Sequence, residues 1–393
     1  MKKLSLLLAG VGGYGGLIAR EVLEHCGEHN TEVVGIVEPF LENSPVKEQI
    51  RALSLPVYAA LEDFYKEHQA DLAILSTPIH LHAQQSIFVL EHGSDCLCEK
   101  PTAPTLQEAA AMQEAAERTG KHLTIGYQLS HSPAVLDLKK DILAGRLGKP
   151  VILYAMTCWP RNSAYFARPW AAKVKVDGHY VLDSIAMNAC AHYLHNMFFL
   201  LGKSIDQSAR PALLEASVAR ANAIETYDTA CFRVFTQEGS VLNFTATHAS
   251  RANINPQMRF LFENARVEMA ETDGENGITA YFKDGEIKHY GPTTRDRFQK
   301  IWYCCEVARG RKQPLCTVET AWSHLQCVNA VSEFAPVHRL TAEKENDVMV
   351  VSGIDTLFQK AFQENKMPWE LSALIAPPVK IPLENYHSFG GIK

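Results

Sequence analysis

Residues 10–15 read Gly10-Val11-Gly12-Gly13-Tyr14-Gly15, a G-x-G-x-x-G run between the apolar stretch Leu4 to Ala9 and a helix-like stretch from Leu17 to Leu23. That spacing and context suit a dinucleotide pyrophosphate. Gly10 permits a tight strand-to-helix turn, Gly12 lets backbone N–H groups approach the phosphates, and Gly15 lets helix and strand pack closely. The N-terminus of the helix that follows meets the phosphates, with Gly13 and Tyr14 in the cofactor-binding turn. A second apolar run, Val33 to Val37, ends in Glu38, 23 residues beyond Gly15. A carboxylate there accepts both ribose hydroxyls and repels a 2′-phosphate, which points to NAD rather than NADP.

Two further strand candidates end in groups that do chemistry. Leu72 to Ser76 runs into Thr77-Pro78, and Cys96 to Cys98 runs into Glu99-Lys100-Pro101. Carboxyl ends of strands in an open parallel sheet are where ligands bind. Farther on, Asp183 to Gly202 reads as one helix with two faces. At 100° per residue Met187, Cys190, Leu194, Met197, Phe198 and Leu201 form an apolar stripe, while Ser184, Asn188, His192 and His195 cluster elsewhere, as a solvated face, as histidines hydrogen-bonded in the core, or as a substrate-facing row. Between these regions lie Trp159, Arg161, Asn162, Tyr165, Arg168 and Trp170. Aromatic faces beside a few hydrogen-bonding groups suit a sugar ring, and equally a subunit interface. His248 and Arg251 at the end of a strand candidate are a weaker pair. Sixteen histidines invite a metal reading, but no H-E-x-x-H and no tight Cys/His grouping occurs, so no metal is expected.

The elements that must position these groups are legible as a change of rhythm along the chain. From Leu4 to about Gly126, short apolar runs alternate with helical patterns such as His82 to His92 and Thr105 to Thr119, which predicts a doubly wound parallel sheet over residues 1–126. Beyond it, a helix near Ala134 to Ala144 is followed by alternating strands near Val151 to Thr157, Ala230 to Thr236, Val241 to Thr247 and Arg259 to Phe262. That predicts a second, α+β domain over residues 127–393 built on a large, mostly antiparallel sheet.

Size and charge bound the function. The 393 residues, 47% hydrophobic and 21% charged, are enough for two domains with real cores, and the formal charge of −6 is spread without a basic footprint for nucleic acid or anionic lipid. No apolar stretch approaches a membrane span. Met1-Lys2-Lys3 and the following apolar run read as the first strand rather than a leader, because the run leads straight into the glycines. Ten scattered cysteines without C-x-x-C spacing read as reduced thiols of a cytoplasmic protein.

The glycine run together with Glu99-Lys100-Pro101 resembles the glucose-fructose oxidoreductase, inositol dehydrogenase and rhizopine catabolism (Gfo/Idh/MocA) family, over most of the chain. The resemblance implies a Rossmann domain followed by an α/β domain with an open sheet, and an NAD-dependent oxidoreductase acting on a sugar, a cyclic polyol or a derivative. It puts Lys100 near the nicotinamide and the substrate hydroxyl, with Thr77, Pro78, His82, Glu99 and Gln128 around the cofactor, and implies a cis Lys100-Pro101 bond. Family members carry an aspartate, a histidine four residues later and an apolar run ending in glycine. Counting back ten residues from Gly202 makes that histidine His192, the candidate base, and puts Asn188 in the aspartate's place. An aspartate would favour the charged imidazole, whereas Asn188 offers only neutral hydrogen bonding, which leaves more of the acid–base work to Lys100. Trp159, Arg161, Arg168, Asn188, His192 and His195 are then the expected substrate contacts. The departure at Asn188 keeps two alternatives open: NAD-dependent glycoside cleavage through transient oxidation, and a non-catalytic NAD-binding sensor. The resemblance also implies a homodimer or homotetramer formed through the open face of the second sheet.

Overall fold

The computed structural model describes residues 2–270, 277–293 and 297–392. The chain divides into two compact units. The first comprises Met1–Ala103, Gln107–His131 and Phe298–Glu319, and the second Pro104–Leu106, Ser132–Arg297 and Thr320–Lys393.

The first unit is a parallel sheet of β1 (Leu4–Ala9), β2 (Thr31–Val37), β3 (Val57–Tyr58), β4 (Leu72–Leu75), β5 (Asp95–Cys98) and β6 (Leu123–Ile125), in the spatial order β3-β2-β1-β4-β5-β6. That is the order of a dinucleotide-binding sheet, with the reversal of direction between β1 and β4. The strands are continuous apolar runs because helices cover both faces: Leu6, Leu8, Ile74 and Leu97 share one core with Ile18 and Val22 of the helix Gly13–His25.

The same core takes in Ile301, Trp302, Cys304 and Cys305 from the helix Gln299–Ala308. This corrects the expected division at residue 126, which assigned everything after it to the second domain. The chain returns to the first unit after completing most of the second, and a helical period carries no information about which core the helix joins.

The second unit is a mixed sheet built on β7 (Pro150–Cys158). A small hairpin, β8 (Lys175–Val176) with β9 (His179–Tyr180), stands apart from it. The large sheet continues with β10 (Pro211–Arg220), β11 (Thr229–Thr236), β12 (Val241–Thr247), β13 (Ile254–Phe262), β14 (Ala265–Ala270), β15 (Ile278–Phe282) and β16 (Ile287–Gly291). Its order is β16-β15-β14-β13-β7-β12-β11-β10-β17, where β17 is Val337–Arg339. The pairings are antiparallel except β7 with β12 and β10 with β17. A second hairpin joins β18 (Glu343–Glu345) to β19 (Val348–Val350), and β20 (Val379–Pro382) adds to β10.

Alternate residues of β7 point to opposite faces. Tyr154, Met156 and Cys158, with Ala219 and Cys231, pack against Ile354, Phe358, Phe362, Met367 and Ile375 of the C-terminal segment. The Tyr154 hydroxyl donates to the Lys366 carbonyl at 2.9 Å, and Arg233 pairs with Glu370 at 2.7 Å. Over these strands this face of the sheet is therefore covered by the chain's own C-terminal segment.

Candidate active site

The glycine turn separates into two jobs. Gly10 has φ +79, and a Cβ there would meet the Ser76 carbonyl oxygen at 2.6 Å; a Cβ at Gly15 would meet the Gly10 carbonyl oxygen at 2.0 Å. These two close the turn. By contrast a Cβ at Gly12 meets nothing nearer than Glu38 Oε2 at 4.0 Å, and at Gly13 nothing within 4 Å. The bare backbone at Gly12 and Gly13 opens the helix Gly13–His25, whose N-cap Gly12 has no side chain to cap the first amides and whose first turn holds no acidic residue. A diphosphate fits such a cradle, since the helix supplies N–H donors and nothing negative opposes it. Glu38 at the tip of β2 closes one side: its Oε2 accepts from the Val11 amide at 2.9 Å and its Oε1 from the Phe40 amide at 3.0 Å. Each carboxylate oxygen keeps acceptor capacity for a ribose hydroxyl. Tyr14, partly exposed, donates to Gln128 Oε1 at 3.3 Å, which brings the 3₁₀ turn Gln128–His131 to the glycine loop.

The tips of β4 and β5 carry the remaining candidates of this unit. Thr77 and Pro78 are partly exposed at the end of β4, where Thr77 Oγ1 donates to Gln85 Oε1 at 2.6 Å. Lys100, also partly exposed, follows β5, and the Lys100-Pro101 bond is cis. Strand spacing sets Lys100 two strands, roughly 10 Å, across the sheet from the glycine turn. His82 does not line this surface. It is buried, with Nδ1 facing the Pro101 carbonyl at 2.8 Å and Nε2 facing the Thr77 carbonyl at 2.9 Å, so it ties the two strand-end loops together from inside. Burial holds its pKa below the ordinary histidine value, against the opposing pull of the two carbonyls.

Glu99 is turned inward too, at 5% exposure, and pairs with Lys300, which is fully buried and also donates to the Gly126 carbonyl at 3.0 Å. Burial works against the Lys300 charge, but the Glu99 carboxylate outweighs it and raises the ammonium pKa. Lys300 Nζ lies 5.2 Å from the Tyr14 ring centroid. The sequence reading missed Lys300, although a lysine beside Ile301 and Trp302 in an apolar helix was a usable signal of a buried partner.

In the second unit, the expected single helix over Asp183 to Gly202 is two pieces. Residues Ile185–Ala189 form a π-helical turn, capped by Ser184 Oγ accepting from the Met187 amide at 3.1 Å, and Ala191–Leu200 form an α-helix. Such wide turns recur at functional sites. The change of period breaks the two-faced wheel: throughout 181–200 only Asn188, Ala189 and His192 escape burial. His195 is wholly buried and stacks on Phe199 with centroids 6.1 Å apart, which removes it from the expected substrate row. Asn188 Nδ2 donates to Asp183 Oδ1 at 2.9 Å, while Asp183 Oδ2 accepts from the Ala172 amide at 2.6 Å.

The loop after β7 keeps its aromatic and cationic residues together. Trp159 Nε1 donates to Asn255 Oδ1 at 3.1 Å, and its ring meets the Tyr193 ring edge-on at 5.9 Å. The Arg161 guanidinium sits 5.3 Å from the Trp159 centroid and 5.1 Å from that of Tyr165; that of Arg168 lies 4.1 Å from Tyr165 and 4.5 Å from Trp170. His248 is buried beneath, its Nδ1 facing the Trp159 carbonyl at 2.8 Å. Among the described residues no group of three His, Cys, Asp or Glu could hold a metal ion, and no helix is long and apolar enough to cross a membrane.

Comparison with known proteins bears on both units. Residues 4–127 match the family model GFO_IDH_MocA, an oxidoreductase family with an NAD-binding Rossmann fold. Rhizopine catabolism protein MocA of Rhizobium meliloti is 27% identical over 164 residues, 42% of this chain and 49% of that protein. The scyllo-inositol 2-dehydrogenase (NAD(+)) of Bacillus subtilis is 33% identical over 100 residues, 25% of this chain and 28% of its own length. The chain thus spans about half or less of the length of these curated relatives. The WlbA dehydrogenase from Bordetella pertussis, solved in complex with NADH and UDP-GlcNAcA, superposes with a TM-score of 0.68 at 21% identity, covering 84% of this chain and 95% of that one. At that identity the likeness concerns the fold.

Proposed function

From the match of residues 4–127 to the Gfo/Idh/MocA oxidoreductase family model, we propose that the chain is a member of that family and an NAD-dependent dehydrogenase working on a hydroxyl-bearing carbon of a sugar, cyclic polyol or derivative. One observation carries the reading furthest: Lys100 stands at the tip of β5, on the same strand-end edge as a glycine turn whose exposed backbone is bare of side chains. When bound, NAD supplies a two-electron hydride acceptor.

The amides near Gly12, Gly13 and Tyr14 hold the diphosphate, and Glu38, oriented by the Val11 amide, holds the ribose. Thr77, Pro78 and Gln128 border the same edge. Lys100 hydrogen-bonds the reacting hydroxyl and takes or returns its proton, which a lysine does at neutral pH when a neighbouring cation or burial lowers its pKa. His192, one of three accessible positions in its segment, serves the substrate as a second proton acceptor, and Asn188 binds a neighbouring hydroxyl. Glu99 and His82 act on the cofactor side indirectly, by fixing the loops that carry Lys100 and Thr77. The relatives' sugar and inositol names support this substrate range. A soluble cytoplasmic homo-oligomer is the setting proposed for it.

The test is calorimetric titration with NAD, followed by absorbance at the NADH band across hexoses, inositols, sugar acids and their keto forms. Lys100→Met should keep NAD affinity and lose turnover by about 10²–10⁴-fold. Failure of the folded protein to bind NAD or NADH overturns the reading.

A further inference from the structure

We propose that Arg161 and Arg168 recognise an oxyanion carried by the substrate, so that the protein selects sugars bearing a carboxylate or phosphate over neutral polyols. The inference rests on the dehydrogenase reading and narrows its substrate class.

The two guanidinium groups lean on the same tyrosine ring, with centroid distances of 5.1 Å for Arg161 and 4.1 Å for Arg168, and each covers a tryptophan as well. Elsewhere arginines find acids: Arg118 pairs with Glu91, Arg233 with Glu370, Arg251 with Glu345 and Arg309 with Glu306. Among the described residues Arg161 and Arg168 have no carboxylate within ion-pairing distance. Their acceptors in the protein are neutral: the Pro160 carbonyl for Arg161 at a long 3.5 Å, and for Arg168 the Tyr165 carbonyl, 2.9 Å from Nε, with the Tyr165 hydroxyl also within reach. Arg161 Nε and Arg168 Nη2 are buried without any hydrogen-bond partner.

Two like charges flanking one ring, with shielded N–H groups left without acceptors, is an unfavourable arrangement for a free protein. Aromatic stacking holds the planes in place without using their in-plane donors, and those donors match the planar geometry of a carboxylate or a phosphate. An oxyanion supplies the acceptors that the protein withholds.

The position suits a substrate. The Trp159 ring under Arg161 meets Tyr193, the neighbour of His192. Tyr165 feels the charge of Asp183, the residue that holds Asn188. The rings that carry the arginines therefore adjoin the segment 181–200, whose accessible positions are Asn188, Ala189 and His192. A sugar with its ring on this aromatic ground and its acid group between the arginines would present its remaining hydroxyls toward Asn188 and His192.

The experiment is calorimetric titration of the full chain, with and without NAD, using D-glucuronate, D-galacturonate, D-gluconate, glucose 6-phosphate, glucose and myo-inositol. At least one acid should bind about tenfold or more tightly than either neutral compound, with the advantage shrinking as salt rises. The uronates and the phosphate ester separate the two sources of oxyanion. Arg161→Gln and Arg168→Gln should each erase most of the advantage, and Arg168→Lys should restore part of it; unchanged NAD affinity in the variants shows that they are folded. Equal affinity for acids and neutral compounds, no measurable affinity for any acid, or an advantage that survives both glutamine variants overturns the inference. Since the wild-type ligand comparison decides by itself, a variant that fails to fold does not protect it. Loss of NAD binding in the wild type would sink the dehydrogenase reading instead, and the titration without NAD still reads the arginines.

Discussion

The side-chain amide of Asn188 donates to the carboxylate of Asp183 at 2.9 Å, five residues earlier in the chain. The acid absent from position 188 is thus present behind it, buried and committed to the Ala172 amide and to Asn188. The hydrogen bond fixes which way the amide faces. Asn188→Asp would set two carboxylates against each other, so one must gain a proton or move away. The added negative charge near His192 should raise the imidazole pKa. A base must be neutral to act, so the acid limb of kcat/KM should move to higher pH by about one unit. Asn188→Ser, which adds no charge, should leave the limb in place. A pH–rate profile of the three proteins checks this.

Gly12 and Gly15 are equivalent in a motif and opposite in the structure. At Gly15 a Cβ meets the Gly10 carbonyl oxygen at 2.0 Å, so Gly15→Ala should force helix and strand apart and lower the yield of folded protein. At Gly12 the backbone is extended, with φ −90, and a Cβ finds only Glu38 Oε2 at 4.0 Å. Gly12→Ala should fold normally, with a melting temperature near that of the wild type, yet bind NAD at least about tenfold more weakly because the methyl group occupies the approach to the diphosphate. Paired melting and titration experiments separate the two effects.

The contrast shows what a one-dimensional pattern conveys. Strand-end chemistry was legible, because a parallel sheet sends every ligand group to one edge: Gly10, Glu38, Thr77 and Lys100 all sit at strand tips. What stayed hidden depends on partners distant in sequence. Glu99 reads as a cofactor residue until Lys300, 201 positions away, is found beside it. His82 reads the same way until both ring nitrogens are seen facing carbonyls. His195 failed for a local reason: the wheel assumed one period, and the π-helical turn Ile185–Ala189 rotated the register before the α-helix began. The helix Gln299–Ala308 was visible as a helix, but only tertiary packing decides that its apolar face joins the core beneath β1 and β4.

Glu99 and Lys300 form an ion pair with 5% and 0% of the respective residues exposed. Removing one partner of such a pair strands the other charge away from water, at a cost of about 3–5 kcal/mol. Lys300→Met should therefore be strongly destabilised in urea, and so should Glu99→Gln to a smaller extent, since a neutral amide still hydrogen-bonds. The combined Glu99→Gln, Lys300→Met protein should be more stable than Lys300→Met alone, because no buried charge remains. Strict additivity of the two substitutions would mean that the pair is not coupled.

Buried histidines set the acid side of the stability curve. Burial pushes the His248 pKa down to about 3, partly opposed by its contact with the Trp159 carbonyl and reinforced by Arg161 and Arg168. In the first unit His131 is pushed down to about 4, again by burial first, with the Tyr127 carbonyl opposing and Lys300 adding to the shift. In the unfolded chain both rings take up protons near pH 6.5, whereas in the fold they stay neutral until pH 3 to 4. Between those limits the unfolded state binds more protons, so stability falls as the pH is lowered from about 6.5 toward 4, by up to roughly 1.4 kcal/mol per pH unit for each ring. His248→Asn keeps a donor for the Trp159 carbonyl but cannot titrate. Its unfolding free energy, from urea melts at several pH values, should decline more gently over this window than that of the wild type. A slope unchanged by the substitution would mean that His248 is already charged in the folded protein.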